Sequence, residues 1–380
     1  SPRISLEWRF LVDHLNGDAD AARHYLFGGA GPAVGQVVTL PALAASLRVI
    51  AAEGRAGFYE GALAEDMVGK LRSLGGVHTL EDFAATACAY VEPTRALYRG
   101  CEVLEIPPNG QGITAQIALN ILQHFDLAAL DPHGAARFHL EMEASRLAYD
   151  LRDRYVADPA FAPVPVEKML GTEMASTLAA RIDPERALTD LAANRDPLNR
   201  DTIYLTVVDK DRNAVSFINS LYKGFGSGIT APESGIVLHN RGAGFVLTDG
   251  HPNCLEGGKR PLHTIIPGML VDKGRATLPF GVMGGAYQPV GHVHLVTNLL
   301  DFGMDVQEAL DSPRAFPGAY GIEVEKAISP DVRAGLAARG HAVHDALLPF
   351  GGGQAIAIDW DGGALIGGSD PRKDGAAIGY

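Results

Sequence analysis

Two hydroxyl-bearing residues, Thr202 and Ser220, flank a stretch of sequence that could bring them together. A threonine hydroxyl can attack an amide carbonyl, but it is a poor nucleophile unless a base lies within hydrogen-bond reach. If the backbone is cut after Asp201, Thr202 gains a free α-amino group, whose unperturbed pKa is about 7.7–8.0. One residue would then supply both nucleophile and base, and Ser220 would orient or polarise the Thr202 hydroxyl.

The pattern around these two residues predicts a β-hairpin. Segments 202–208 and 214–220 each have seven residues, and the five residues between them, 209–213, are turn formers and charges. If the residues that flank this loop pair with each other, the register sets the first residue of the hairpin opposite the last, with Cβ atoms roughly 4.5–5.5 Å apart. The hairpin alone also fits an ordinary threonine–serine cross-strand pair with no catalytic role.

The elements that would position this hairpin divide into a helical first half and a strand-rich second half. Apolar residues at spacings of three and four indicate helices, and residues 79–82 have a capping-box pattern. The predicted helices are residues 40–53, 62–74, 113–125, 139–155 and 293–301, and the predicted strands are residues 101–106, 203–208, 214–220, 235–238 and 277–282.

Turn formers and charges without periodicity predict an exposed connector at residues 194–201, directly before the hairpin. Glycines at 351–353 and 367–368 predict a glycine-rich tail. We expect two segments, 1–201 and 202–380, that together form one domain.

Composition limits the class of protein. The chain has 380 residues, of which 47% are hydrophobic and 20% charged, as in folded proteins. A formal net charge of −13 and the lack of a basic run argue against a nucleic-acid partner. No stretch reaches the ~20 apolar residues of a membrane helix, so we expect no membrane partner.

The cysteines, Cys88, Cys101 and Cys254, lack the spacing of metal ligands or of a disulfide framework. We therefore expect neither a metal site nor a disulfide at these residues, and the threonine mechanism itself needs no metal and no organic cofactor. The chain begins at Ser1 without an initiator methionine, which leaves its compartment open between cytoplasm and periplasm.

A series of motifs runs along nearly the whole chain. Residues 201–211 open the strand-rich half, and the further motifs are residues 98–100, 107–110, 120–122, 143–149, 225–229, 234–238, 258–261, 284–285 and 369–379. In these motifs the sequence resembles the γ-glutamyltranspeptidases and related amidohydrolases. Residues 201–211 are similar to the start of the family's small subunit, where the processed threonine comes first, and Thr202 takes that place.

The resemblance implies an α+β fold, the four-layer αββα sandwich of N-terminal-nucleophile hydrolases. It identifies residues 1–201 with the C-terminal part of the large subunit and residues 202–380 with the small subunit. It also implies that the earlier part of the large subunit, with sheet strands and a carboxylate-binding arginine, is missing from this chain.

Gly284 and Gly285 are the candidates for stabilising the oxyanion that forms when an amide is attacked. They follow the predicted strand 277–282, carry no side chain that would block approach, and match the glycine pair of the family's oxyanion hole. Alternatively, these two glycines are present only because the chain makes a turn there that requires positive φ. His263 and Thr264 stand where the family has a pocket-lining loop with two serines, so we expect both to line the pocket.

Four further positions bear on the substrate. In relatives that use glutathione, an aspartate that binds the α-amino group stands where this chain has Gly244, and Tyr222 replaces an asparagine near the pocket. Arg241 and Lys223 add positive charge close by in sequence. We therefore predict a small-molecule amide whose acyl group carries a carboxylate, either γ-glutamyl-like or a dicarboxylic monoamide such as oxamate.

The predicted enzyme is a self-processing amidohydrolase that forms a threonyl acyl-enzyme, with its two segments associating after self-cleavage. Such two-segment units could also associate into a homodimer. Two alternatives are a true glutathione hydrolase or γ-glutamyltransferase, and an unprocessed inactive fragment with a structural or binding role.

Overall fold

The computed structural model describes residues 1–191 and 202–380. The predicted connector, including Asp201 at the predicted cleavage, lies outside the described residues. The chain falls into two compact units. The first comprises Ser1–Tyr90 and Leu221–Arg241, and the second comprises Val91–Ser220 and Gly242–Tyr380.

The first unit contains helices that the apolar spacing predicted. Its helices are α1 (Pro2–Arg9), α2 (Val12–Asn16), α3 (Ala19–Tyr25), α4 (Pro41–Tyr59), α5 (Gly61–Ser73) and α6 (Leu80–Ala84). The predicted capping box is present at α6, where Asp82 N donates to Thr79 Oγ1 at 3.2 Å and Thr79 N donates to Asp82 Oδ2 at 2.7 Å. These reciprocal bonds satisfy two donors at the start of α6.

The second unit surrounds an antiparallel sheet with helices. Its helices are α7 (Gly112–Leu122), α8 (Ala135–Tyr155), α9 (Val166–Leu170), α10 (Thr172–Ala179), α11 (Gln288–Leu300), α12 (Val306–Asp311) and α13 (Pro330–Ala338), with 3-10 turns at Leu127–Ala129 and Gly285–Tyr287. A further 3-10 turn, Arg241–Gly244, joins the two units along the chain.

The strands of the second unit form three sheets. The strands are β1 (Thr94–Tyr98), β2 (Cys101–Glu105), β3 (Ile203–Val208), β4 (Ala214–Asn219), β5 (Gly268–Asp272), β6 (Arg275–Met283), β7 (Ala315–Gly318), β8 (Gly321–Val324), β9 (Val343–Asp345), β10 (Gly352–Ile358) and β11 (Leu365–Ser369). One sheet has the order β1-β2-β5-β6-β10-β11, β3 pairs with β4, and β7-β8-β9 form the third sheet.

The main core lies between the six-stranded sheet and helices α7, α8 and α11. Phe280 of β6 is fully buried, and its ring centroid lies 4.8 Å from that of His292 in α11. Side chains alternate along a strand, so the next residue, Gly281, faces the opposite side of the sheet. There it contacts the ring of Tyr204 in β3. The hairpin therefore covers the face of the sheet that the helices leave open.

The predicted α+β class is confirmed. Of the predicted four-layer sandwich, the described residues of the second unit form a helical layer, the six-stranded sheet and the two-stranded hairpin. The outward face of the hairpin is apolar and exposed, with Ile203 at 71% and Phe217 at 48% of full exposure. The inward residues Tyr204 and Ile218 are buried.

One strand prediction was wrong. Residues 235–238 do not form a strand; they make a single bridge, Thr230 to Val237, because the chain turns just before them. The carboxylate of Asp66 fixes that turn by accepting from Ser234 N at 2.7 Å. The first half is also less purely helical than predicted, because β1 pairs with the predicted strand at β2.

The predicted glycine-rich tail is in fact two paired strands, β10 and β11. Glycine is used in these strands because a helix approaches them closely. A Cβ atom at Gly353 would lie 2.6 Å from Leu310 Cδ2, and one at Gly368 would lie 2.6 Å from Val306 Cγ1. Both partners belong to α12, so the glycines let this helix pack on the sheet.

Candidate active site

The hairpin has the predicted register. Val208 pairs with Ala214, and the pairing continues without a slip to Ile203 and Asn219. Thr202 and Ser220 are the next residues beyond that last pair, so they meet at the open end of the hairpin. Thr202 is 5% exposed. The structure thus brings the predicted nucleophile to the position opposite the predicted orienting hydroxyl, while their catalytic roles stay predictions.

A chain of hydrogen bonds fixes the hairpin to the sheet. Ser216 Oγ donates to the carbonyl oxygen of Phe280 at 3.1 Å, so the Tyr204 hydroxyl, 2.7 Å from Ser216 Oγ, must donate to it. Burial raises the pKa of Tyr204, which keeps its phenol protonated as this network requires. Because Tyr204 is two residues from Thr202 and contacts Gly281, the site end of β3 is anchored near the end of β6.

The predicted oxyanion glycines form a tight turn directly after β6. Gly284 has a φ of 129° and Gly285 a φ of 58°, conformations that strain any residue with a side chain. Tyr287 N donates to the Gly284 carbonyl at 3.0 Å, and the Tyr149 hydroxyl of α8 donates to the Ala286 carbonyl. The turn is therefore held through its carbonyl groups, as a preorganised donor site requires.

The predicted pocket loop is joined to the segment before α7. His263 N donates to the Asn109 carbonyl at 2.9 Å, and Gln111 N donates to the His263 carbonyl at 2.9 Å. Thr264 is 5% exposed, and its carbonyl accepts from Gln111 Nε2 at 2.8 Å. His263 and Thr264 thus sit in a segment that is fixed through its backbone.

Gln111 and Arg152 were not predicted from the sequence. Gln111 Nε2 also donates to the Gly285 carbonyl at 2.9 Å, and Gln111 Oε1 accepts from Arg152 Nη1 at 2.9 Å. One buried amide therefore connects the pocket loop to the oxyanion turn. The only signal in the sequence was the neighbouring motif at 107–110, which resembles the family's large subunit.

Gly244 lies against the pocket loop. A Cβ atom at Gly244 would be 2.9 Å from the carbonyl oxygen of Leu262 and 3.5 Å from Pro261 Cβ. Asn253 holds the two segments together, because its Nδ2 donates to the Gly244 carbonyl at 2.7 Å and its Oδ1 accepts from Leu262 N at 3.1 Å. The backbone here leaves no room for an aspartate side chain unless the loop shifts.

Tyr222 and Arg241 belong to the first unit, which brings them together. The Arg241 guanidinium carbon lies 5.5 Å from the centroid of the Tyr222 ring, and Asn240 N donates to the Leu221 carbonyl at 3.2 Å. Burial lowers the pKa of Arg241 to about 10, against the opposing effect of Tyr222. Arg241 therefore keeps its charge at neutral pH.

Within residues 1–191 and 202–380, no group of three or more His, Cys, Asp or Glu side chains is arranged to hold a metal ion. In the same described ranges, no helix combines the length and the apolar character needed to cross a bilayer. The three cysteines are all unpaired.

Comparison with known proteins shows which family the chain belongs to. The family model for gamma-glutamyltranspeptidase matches residues 2–380. The chain belongs to the γ-glutamyltranspeptidase family. This confirms the resemblance of the sequence motifs and the assignment of the chain to the amidohydrolases of the N-terminal-nucleophile type.

Relatives within the γ-glutamyltranspeptidase family carry several activities in their names. The glutathione hydrolase-like YwrD proenzyme of Bacillus subtilis (strain 168) is 39% identical over 363 residues, which are 92% of this chain and 68% of that protein. The oxamate amidohydrolase proenzyme of Klebsiella pneumoniae is 33% identical over 378 residues, 97% of this chain and 70% of that protein. The crystal structure of cephalosporin acylase from Bacillus halodurans superposes with a TM-score of 0.91 at 37% identity, and the match covers 100% of this chain and 72% of that one.

Proposed function

We propose that this γ-glutamyltranspeptidase-family chain cleaves itself before Thr202 and then hydrolyses an amide whose acyl group carries a carboxylate but no α-amino group. Dicarboxylic monoamides such as oxamate, and glutaryl amides, have this chemistry. The register of β3 and β4 supports Thr202 as the nucleophile, because its last pair is Ile203 and Asn219 and the next residue on each side is Thr202 and Ser220.

The proposed reaction has two steps. The Thr202 hydroxyl oxygen bonds to the amide carbon while its own α-amino group takes the hydroxyl proton. The backbone N–H groups of Gly284 and Gly285 stabilise the oxyanion, the C–N bond breaks, and the proton passes to the leaving nitrogen. Water then attacks the acyl ester by the same route, which releases the carboxylate and restores Thr202.

The packing of Gly244 carries the substrate part of the proposal. A bound α-ammonium group needs an anionic partner, and a charge-assisted hydrogen bond is typically worth ~1.5–3 kcal/mol. The Leu262 carbonyl occupies the space that an aspartate Cβ at position 244 would need. A substrate without an amino group has no such requirement.

Positive charge close to Gly244 in the sequence supports a carboxylate on the substrate. Arg241, three residues before Gly244, is 8% exposed and carries its charge at neutral pH. A planar guanidinium is well suited to carboxylate recognition. The name of the oxamate amidohydrolase relative agrees, because oxamate is a monoamide with a carboxylate and no amino group.

Two chromogenic amides that differ only in the α-amino group test the substrate. Glutaryl-p-nitroanilide should be hydrolysed with a kcat/KM at least about 10-fold above that of γ-glutamyl-p-nitroanilide, the factor expected when an ammonium lacks its charged partner. Oxamate should release ammonia. Preference for the γ-glutamyl compound would instead identify a true glutathione hydrolase. A single 40.2 kDa band without turnover would identify an inactive fragment.

A further inference from the structure

The buried amide of Gln111 is bonded to both the oxyanion turn and the pocket loop. Gln111 is fully buried directly before α7. Its Nε2 has two hydrogens, which go to the carbonyls of Thr264 at 2.8 Å and Gly285 at 2.9 Å. All hydrogen-bond donors of this amide are therefore used.

The orientation of the amide is fixed by its partners. Backbone carbonyls only accept hydrogen bonds and a guanidinium only donates them. Arg152 Nη1 donates to Gln111 Oε1 at 2.9 Å, so the amide oxygen must face Arg152 and the nitrogen must face the two carbonyls. A charged donor on the oxygen also polarises the amide and strengthens the two bonds that its nitrogen donates.

Arg152 is itself held in place from α8. Its side chain is 9% exposed, Arg152 Nε donates to Asp153 Oδ1 at 2.8 Å, and its guanidinium lies 4.5 Å from the centroid of the Tyr149 ring. The Tyr149 hydroxyl donates to the Ala286 carbonyl. Two consecutive carbonyls of the turn, at Gly285 and Ala286, are therefore set by one group of side chains.

We propose that Gln111 is a positioning residue that aligns the Gly284–Gly285 donors with the pocket loop, so that its loss lowers kcat and leaves KM nearly unchanged. This inference rests on the proposed function of the glycine turn. The bonds that Gln111 makes go to carbonyls, which places it behind the donors rather than in contact with substrate. Misplacement of a catalytic group by about 1 Å can cost about 10²-fold in rate.

Gln116, inside the helix that Gln111 precedes, provides the control. Gln116 is also fully buried, and its Nε2 donates to the carbonyls of Thr94 at 3.0 Å and Val103 at 2.8 Å. These acceptors lie in β1 and β2 instead of the turn. Gln116→Met and Gln111→Met both remove two bonds to backbone carbonyls, and only Gln111→Met removes bonds to the candidate site. Gln111→Met also removes the acceptor for Arg152 Nη1, a loss that Gln111→Glu does not share.

The test compares the wild type, Gln111→Met, Gln111→Glu and Gln116→Met with glutaryl-p-nitroanilide, normalised to the amount of chain that begins at Thr202. Both Met variants should lose thermal stability. Only Gln111→Met should lose about 10²-fold in kcat, with KM within about 3-fold of the wild type. Gln111→Glu keeps the partner for Arg152 but faces the Gly285 carbonyl with a second acceptor, so it should fold and show a similar loss of kcat.

The outcomes separate the two claims. If the wild type is processed and active but Gln111→Glu or a folded Gln111→Met retains its kcat, the positioning role is wrong and the proposed function stands. An equal loss of kcat in Gln116→Met also overturns the positioning role, because the effect would then be general destabilisation. If the wild type neither gains a Thr202 terminus nor hydrolyses amides, both claims fail.

Discussion

The hairpin β3–β4 and the loop wall of the candidate site are positioned by different means. We define the loop wall as Gly244, residues 261–264 and residues 284–286. The hairpin register is set between neighbours in sequence, across a five-residue loop. The loop wall is held by long-range bonds, such as those from Gln111 to Thr264 and Gly285, which lie 153 and 174 residues away. The place of the nucleophile is thus a local property of the chain, whereas the place of the oxyanion donors depends on the tertiary structure.

Ser216 in β4 and Ser220 just after it test whether catalytic and structural roles are separate within the hairpin. Ser220→Ala should lower kcat by about 10²-fold, the typical effect of a positioned proton-handling group, with little change in stability. Ser216→Ala leaves the buried Tyr204 hydroxyl without its partner and should cost about 1–3 kcal/mol of unfolding free energy with little change in kcat. Kinetics on glutaryl-p-nitroanilide and urea unfolding measure the two effects.

The assignment of Ser220 would be contradicted if its alanine variant kept the wild-type kcat. It would also be contradicted if the two variants lost kcat equally, because Ser216 bonds only to structural groups in the contacts described above.

A smaller effect is expected in the loop wall at Gly244. Gly244→Ala puts a Cβ atom 2.9 Å from the Leu262 carbonyl and should cost about 1–3 kcal/mol of unfolding free energy through overpacking. Gly242 is the control, since a Cβ atom there meets nothing within 4 Å, and Gly242→Ala should change stability by less than about 0.5 kcal/mol. Urea unfolding of the two variants checks the difference. A fully stable Gly244→Ala would show that the loop can admit a side chain and would remove the structural argument against an aspartate there.

The same contrast explains what the sequence could predict. The hairpin, its register and the capping box at Thr79 and Asp82 follow from local patterns, and all three were predicted correctly. The strands β10 and β11 were missed because their glycines resemble a flexible tail, and only the packing of α12 shows why glycine is needed there.

The side chains behind the site could not be found from local patterns. Gln111 is uncharged, has no spacing that marks a catalytic group, and makes its bonds to segments far along the chain. Gly244 could be recognised as a change of residue type, but the Leu262 carbonyl beside it emerged only from the structure. Motif resemblance identified which segments matter, and the physical reason for each residue came from the contacts.

Mass spectrometry of the N-terminal peptides tests the central claim most directly. The purified wild type should yield a new terminus that begins Thr202-Ile203-Tyr204 and should hydrolyse glutaryl-p-nitroanilide. Thr202→Ala should stay a single chain and lose about 10⁴–10⁶-fold in kcat, while Thr206→Ala, in the strand β3 that follows Thr202, should be processed like the wild type. If Thr202→Ala still divides at this position and still turns over the amide, Thr202 is not the nucleophile.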